Sequence, residues 1–165
     1  MSAALYDTLR AITTATITTM LLKKGIRRCW MNGPRPLVSG GARVVGPAFT
    51  LRFVPVREDL ATPESWAKPV STRGAIEAMP EGCIAVADAT GVTSAGIFGD
   101  ILTMRMAKRK VAALVTDGVV RDKAGSCLQA TGLVCRDRRA GFGQWPHLRR
   151  LAGADRLRQI GRAHV

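Results

Sequence analysis

Residues 94–122, SAGIFGDILTMRMAKRKVAALVTDGVVRD, constrain the fold more tightly than any other part of the chain. They read as a glycine-bearing loop, a helix over Asp100–Arg109, a strand over Val111–Thr116, and a turn at Asp117-Gly118. A helix followed closely by a short β-branched run places Asp100 at the start of one element. Arg121-Asp122 then fall just past the end of the next. In an α/β layer such ends can face one cleft.

The rest of the chain agrees with that layering. Leu5–Arg10 and Ala15–Lys24 carry helical spacing, with Ile17, Met20 and Leu21 on one side of the second. Thr13 or Thr14 can cap that helix and Gly25 can stop it. Gly33-Pro34-Arg35-Pro36 reads as a turn. Val44–Val56 is a strand with Phe49, Leu51 and Phe53 on one face. Thr62-Pro63-Glu64 reads as a cap with proline at the first helical position. Ser71–Met79 is a short helix stopped by Pro80, Cys83–Ala87 a buried strand, and Gly91–Gly99 a loop. Strands alternating with helices define an α/β fold.

With 165 residues the chain suits one domain with a real core. No apolar run approaches a membrane span. MSAALYDTLR lacks a basic region followed by an apolar one, so no signal peptide is read. Cys29, Cys83, Cys127 and Cys135 lack zinc-like spacing and fit reduced thiols in a cytoplasmic protein. The net charge of +13 points toward nucleic acid, but its distribution argues against that partner. Residues 136–165 hold eight arginines against two aspartates, and the remaining +7 is spread over 135 residues. Lys23-Lys24-Arg27-Arg28 and Lys108-Arg109-Lys110 sit in or just past last helical turns, where cations suit the helix dipole.

Gly99-Asp100-Ile101-Leu102 presents backbone N–H groups at a helix N-terminus, which binds carboxylate or phosphate without a positive side chain. Arg121 adds a planar fork able to pair bidentately with a carboxylate. Asp122 offers hard oxygen suited to magnesium or manganese, and Asp100 could hold or deprotonate a water. Together these groups would grip an α-keto acid and stabilise the enolate left when a C–C bond breaks. The same residues also fit a plainer reading, with Arg121-Asp122 a solvated turn and Asp100 a helix cap. Other site classes fare worse. The only histidines are His147 and His164, which leaves no Ser-His-Asp system. GIFGD is not a dinucleotide fingerprint. Trp30 and Trp66 read as packing residues.

Asp, twenty intervening residues, then Arg-Asp, with Gly before the first Asp and DG-x-x-RD around the second, resembles the RraA-like family. That family includes the class II 4-hydroxy-4-methyl-2-oxoglutarate aldolases and the regulator of ribonuclease activity A. The resemblance spans roughly residues 8–134, including TTATITTMLLKKGIR, LATPESW and GIFGDIL. It implies a swivelling β/β/α domain. It also implies a lyase, dependent on Mg2+ or Mn2+, that cleaves hydroxy-oxo acids to pyruvate and decarboxylates oxaloacetate. Asp100 and Arg121 would be catalytic, with Asp100 orienting a metal-bound water as proton donor. Gly99, Asp100, Ile101, Leu102 and Arg121 would bind substrate, and Asp122 the metal. The implied assembly is a homotrimer or dimer of trimers with sites between subunits. The alternative the family offers is a protein inhibitor of an RNA-degrading endonuclease.

Residues 1–134 are expected to form this domain, C-terminally incomplete, and residues 135–165 to be a separate tail. RDRRAGFGQWPHLRRLAGADRLR has no helical or strand period. GC-rich codons for it, read one base on, encode GTAAPASVNGLTFVGWQEPIGC, which resembles the family's continuation. QIGRAHV matches a translated sequencing adapter. A frameshifted tail of this kind is expected to form few buried contacts and no strand of the sheet.

Overall fold

The computed structural model describes residues 3–31, 35–36, 43–56, 61–92, 94–121, 132–135 and 158–161. Two helices open the chain, α1 (Ala3–Ala11) and α2 (Thr14–Lys23). Thr13 caps α2, its hydroxyl oxygen accepting from the Thr16 N–H at 3.1 Å, and Gly25 ends the turn beyond it with φ +81°. Neither Met20 nor Leu22 is covered, and α2 has no buried residue.

Among the described residues six strands form the main sheet: β1 (Arg35–Pro36), β2 (Ala48–Val54), β3 (Ile84–Asp88), β5 (Ala113–Thr116), β7 (Gly132–Cys135) and β8 (Arg158–Gly161). Their order is β1-β7-β5-β3-β2-β8, parallel throughout except for β1 against β7. Two further strands, β4 (Gly96–Phe98) and β6 (Val119–Val120), pair only with each other. Between β2 and β3 lie a 3-10 turn, Pro63–Ala67, and helix α3 (Thr72–Glu77). Helix α4 (Asp100–Lys108) follows β4. Ser71 caps α3 by accepting from the Gly74 N–H at 3.0 Å.

The core is the layer between the sheet and helices α3 and α4. Leu51 and Phe53 of β2, Ile76, Met79, Met106, Val111 and Leu114 are all at most 3% exposed. Phe98 completes it, its ring meeting Phe53 edge to face at 5.8 Å and 85°. Outside this layer, Glu77 of α3 pairs with Arg105 and Arg109 of α4, and the Arg105 hydrogen bond holds its carboxyl below the usual range. Trp66 is half-exposed with the Arg73 guanidinium over its ring at 5.9 Å, and Trp30 is exposed.

Three expectations need correction. The loop expected over Gly91–Gly99 contains β4, and the chain after Gly118 contains β6. Both strands are too short, and too glycine-punctuated, to show a period of two. The expected turn at Arg35-Pro36 is an edge strand, the position in a sheet where proline is tolerated. Lastly, the basic tail was expected to add no strand, yet Arg158–Gly161 runs parallel to β2, with Leu51 opposite Arg158 and Val54 opposite Gly161. An open edge offers N–H and C=O groups to any extended segment, whatever its side chains.

Candidate functional site: a helix N-terminus beside Arg121

The β4–β6 pair builds this site. Gly96 lies opposite Val119 and Phe98 opposite Val120, so Ile97 is an extra residue on β4, a bulge. Just beyond, the Arg121 N–H donates to the Phe98 carbonyl at 2.8 Å. Arg121 is thereby fixed two residues ahead of the first turn of α4. Gly99, buried and extended at φ −129° and ψ −173°, is the N-cap residue and makes no side-chain cap bond. The Thr103 N–H donates to the Gly99 carbonyl at 3.0 Å. The Thr103 hydroxyl also donates to it, and to the Asp100 carbonyl, each at 2.9 Å. The N–H groups of the first turn have no carbonyl partner within the helix.

Of the expected substrate-binding groups, Gly99, Asp100, Ile101 and Leu102 follow one another at the start of α4, and the Arg121 backbone is bonded to Phe98 just before them. Asp100 is half-buried and Arg121 exposed. The Ile101 N–H is already engaged, donating to Asp100 Oδ1 at 2.7 Å. A ligand could take that donor only if the Asp100 carboxylate turned away. Leu102 packs its side chain on the core, whereas the Ile101 side chain is 76% exposed. Asp122, the expected metal ligand, lies outside the described residues. The donors offered by Asp100 and Asp122 are carboxylate oxygens, hard ligands that fit magnesium or manganese. No cluster of three His, Cys, Asp or Glu occurs among the described residues.

Sequence reasoning treated Asp117 as a turn residue and missed its role. It is 3% exposed. Its Oδ1 accepts from the Ala89 N–H at 2.6 Å and its Oδ2 from the Gly91 N–H at 2.8 Å. Thr90 and Gly91 are both left-handed, at φ +56° and +71°, and the Thr90 N–H donates to Asp88 Oδ1 at 2.9 Å. The other Asp88 oxygen accepts from Arg52 Nε at 2.9 Å. The network ties the carboxyl ends of β2, β3 and β5 together, the sheet edge where α/β proteins open their crevices. Burial raises the Asp117 pKa above the ordinary carboxylate range. The Ala89 and Gly91 donors oppose that shift, and neighbouring Asp88 adds to it. A DG pair after a strand signals a turn, but nothing in its spacing signals a buried carboxylate.

The fold is a mainly parallel α/β sheet, with the start of α4 and the Arg121 backbone meeting at the end of β4. The sequence profile of the RraA-like family (Aldolase/RraA) matches residues 3–141, and the chain belongs to that family. It is 30% identical to RraAS2 of Streptomyces coelicolor, described as an unusual member of the RNase ES inhibitor RraA protein family. That match has a TM-score of 0.67 and covers 81% of this chain and 62% of that one. An uncharacterized protein from Pseudomonas syringae pv. tomato is 25% identical at a TM-score of 0.68, over 83% of this chain and 57% of that one. The RNA-processing inhibitor RraA of Thermus thermophilus, 21% identical at a TM-score of 0.52 over 72% and 65%, shares the fold. The chain thus spans about three fifths of the length of the first two relatives. No curated sequence matches it significantly.

Proposed function

We propose that the site belongs to a divalent-metal-dependent lyase that cleaves 4-hydroxy-4-methyl-2-oxoglutarate-type acids to pyruvate and decarboxylates oxaloacetate. The observation that carries this reading is the backbone bond from Arg121 to Phe98, which holds the Arg121 backbone next to the strand residue two positions before α4. A fork carried there would suit an α-keto carboxylate at the helix N-terminus, the two neutralising it from different directions. Asp122 would hold the metal. A magnesium or manganese ion, when bound, would supply polarisation of the keto oxygen. Arg121 would orient the carboxylate, and Asp100 would hold a water poised to protonate the enolate carbon. Subunits of a homotrimer or dimer of trimers would complete the site.

This chain, with its expected frameshifted tail, should be inactive or nearly so, and the test is therefore pyruvate release from oxaloacetate with added Mg2+ or Mn2+ in a full-length relative. Turnover abolished by chelator is expected there, and its absence would sink the reading. In a repaired full-length protein, Asp122→Ala should lose metal binding and turnover together. Arg121→Ala should raise KM and lower kcat while metal affinity stays nearly intact. Equal loss of metal affinity in both variants would contradict the separate roles. A second reading, a protein inhibitor of an RNA-degrading endonuclease, is favoured by the description of the 30% identical relative. It predicts inhibition of RNA cleavage that survives Arg121→Ala.

A further inference from the structure

We propose that Gly96 is a positioning residue for Arg121, its missing side chain being the seat in which the arginine stem lies. This rests on the keto-acid reading only for what the guanidinium binds; the seat itself is a property of the fold. A methyl group built on Gly96 would overlap Arg121 Cγ and lie 2.5 Å from Cδ and 3.0 Å from Nε. The three atoms nearest that methyl all belong to this one side chain, and none to backbone. Gly96 is not in the left-handed region, so its own backbone does not require glycine. What requires glycine is the neighbour. The β4–β6 pairing and the Arg121 N–H bond set the Arg121 backbone against Phe98, and from there the stem crosses β4 at Gly96.

Arginine stems commonly lie along a surface while the charged head stays in water. Here the surface is a strand backbone without a Cβ, which brings the stem closer to the strand than any other residue would allow. Gly96→Ala should therefore displace the guanidinium while leaving the sheet and α4 intact. Serine would do the same, and larger residues more.

The experiment is a double-mutant cycle read in two ways on the full chain. In the ligand-free protein, the NMR signal of the Arg121 Nε–H, assigned by its loss in Arg121→Ala, should move in Gly96→Ala. The backbone amides of α4 beyond Thr103 should hardly change. An unmoved Nε–H signal overturns the proposal. Oxalate, a small dicarboxylate probe, should then bind about tenfold more weakly to Gly96→Ala, the scale of one charge-assisted hydrogen bond. Gly96→Ala/Arg121→Ala should bind it no more weakly than Arg121→Ala alone, because the conflict is gone. Additive losses would show that Gly96 acts on the site by some other route and would overturn the proposal. If Gly96→Ala lowers the thermal midpoint, removing the Arg121 side chain should restore it; failure to restore it also counts against the seat. If the Nε–H signal moves and neither variant alters oxalate binding, the seat stands and the keto-acid reading falls.

Discussion

Asp117 sets two opposing effects against each other: burial disfavours its charge, and two backbone donors favour it. Burial dominates, so its pKa is raised in the folded protein. A raised carboxylate pKa means the folded state binds the proton more tightly than the unfolded one. The associated stability is fully present below the unfolded value of about 3.9 and is lost as pH rises through the folded one. Asp117→Asn removes that titration and also leaves one of the two donors facing an amide NH2. Unfolding free energies measured across pH should show wild type losing stability relative to Asp117→Asn as pH rises from about 4. Parallel curves would mean the burial is already relieved. At this scale the sequence singles out candidates, Asp100, Arg121 and Asp122, by their chemistry and spacing. It does not give their states. That Asp100 spends one oxygen on the Ile101 N–H, or that Asp117 is buried, follows from chain geometry that residue identity leaves open.

Among elements, those with a strong period were legible. Helix α4 and strands β3 and β5 lie within a residue or two of their expected limits, because an amphipathic turn or an apolar run writes itself into composition. β4, β6 and β8 were not, since two to four residues of backbone pairing leave no pattern. The contact most particular to α4 is also invisible in sequence. Thr103, 0% exposed, donates its hydroxyl to the carbonyls of Gly99 and Asp100. It braces the first turn of α4. Thr103→Val keeps the shape and removes the donor, which should cost about 0.5–1.5 kcal/mol. Denaturant midpoints would show it, with the slope unchanged if the fold is kept. The first turn of α4 should also exchange its amide hydrogens faster in this variant.

For the molecule as a whole, protection should follow the sheet order. β3 is flanked by β2 and β5, each in turn flanked again, whereas β8 and β1 lie at the edges. Hydrogen exchange should therefore be slowest in Ile84–Asp88 and fastest among the strands in Arg158–Gly161. Equal protection of β8 and β3 would mean the edge is covered by something further. The charge of +13 belongs to this scale too. Nearly half of that charge lies in residues 136–165, so any polyanion binding should fall steeply with added salt and disappear when those residues are removed.

The bulge at Ile97 has a consequence for how this region can diverge. Two residues of β4 span one step of β6, so Ile97, Phe98 and Gly99 are buried in succession where a regular strand would alternate. Losing one residue here would restore an even ladder, move Phe98 to the opposite face of β4 and shift the start of α4 against β6. Between Ala95 and Asp100 the chain can therefore change its letters far more freely than its length, and insertions or deletions in this lineage should avoid those six positions.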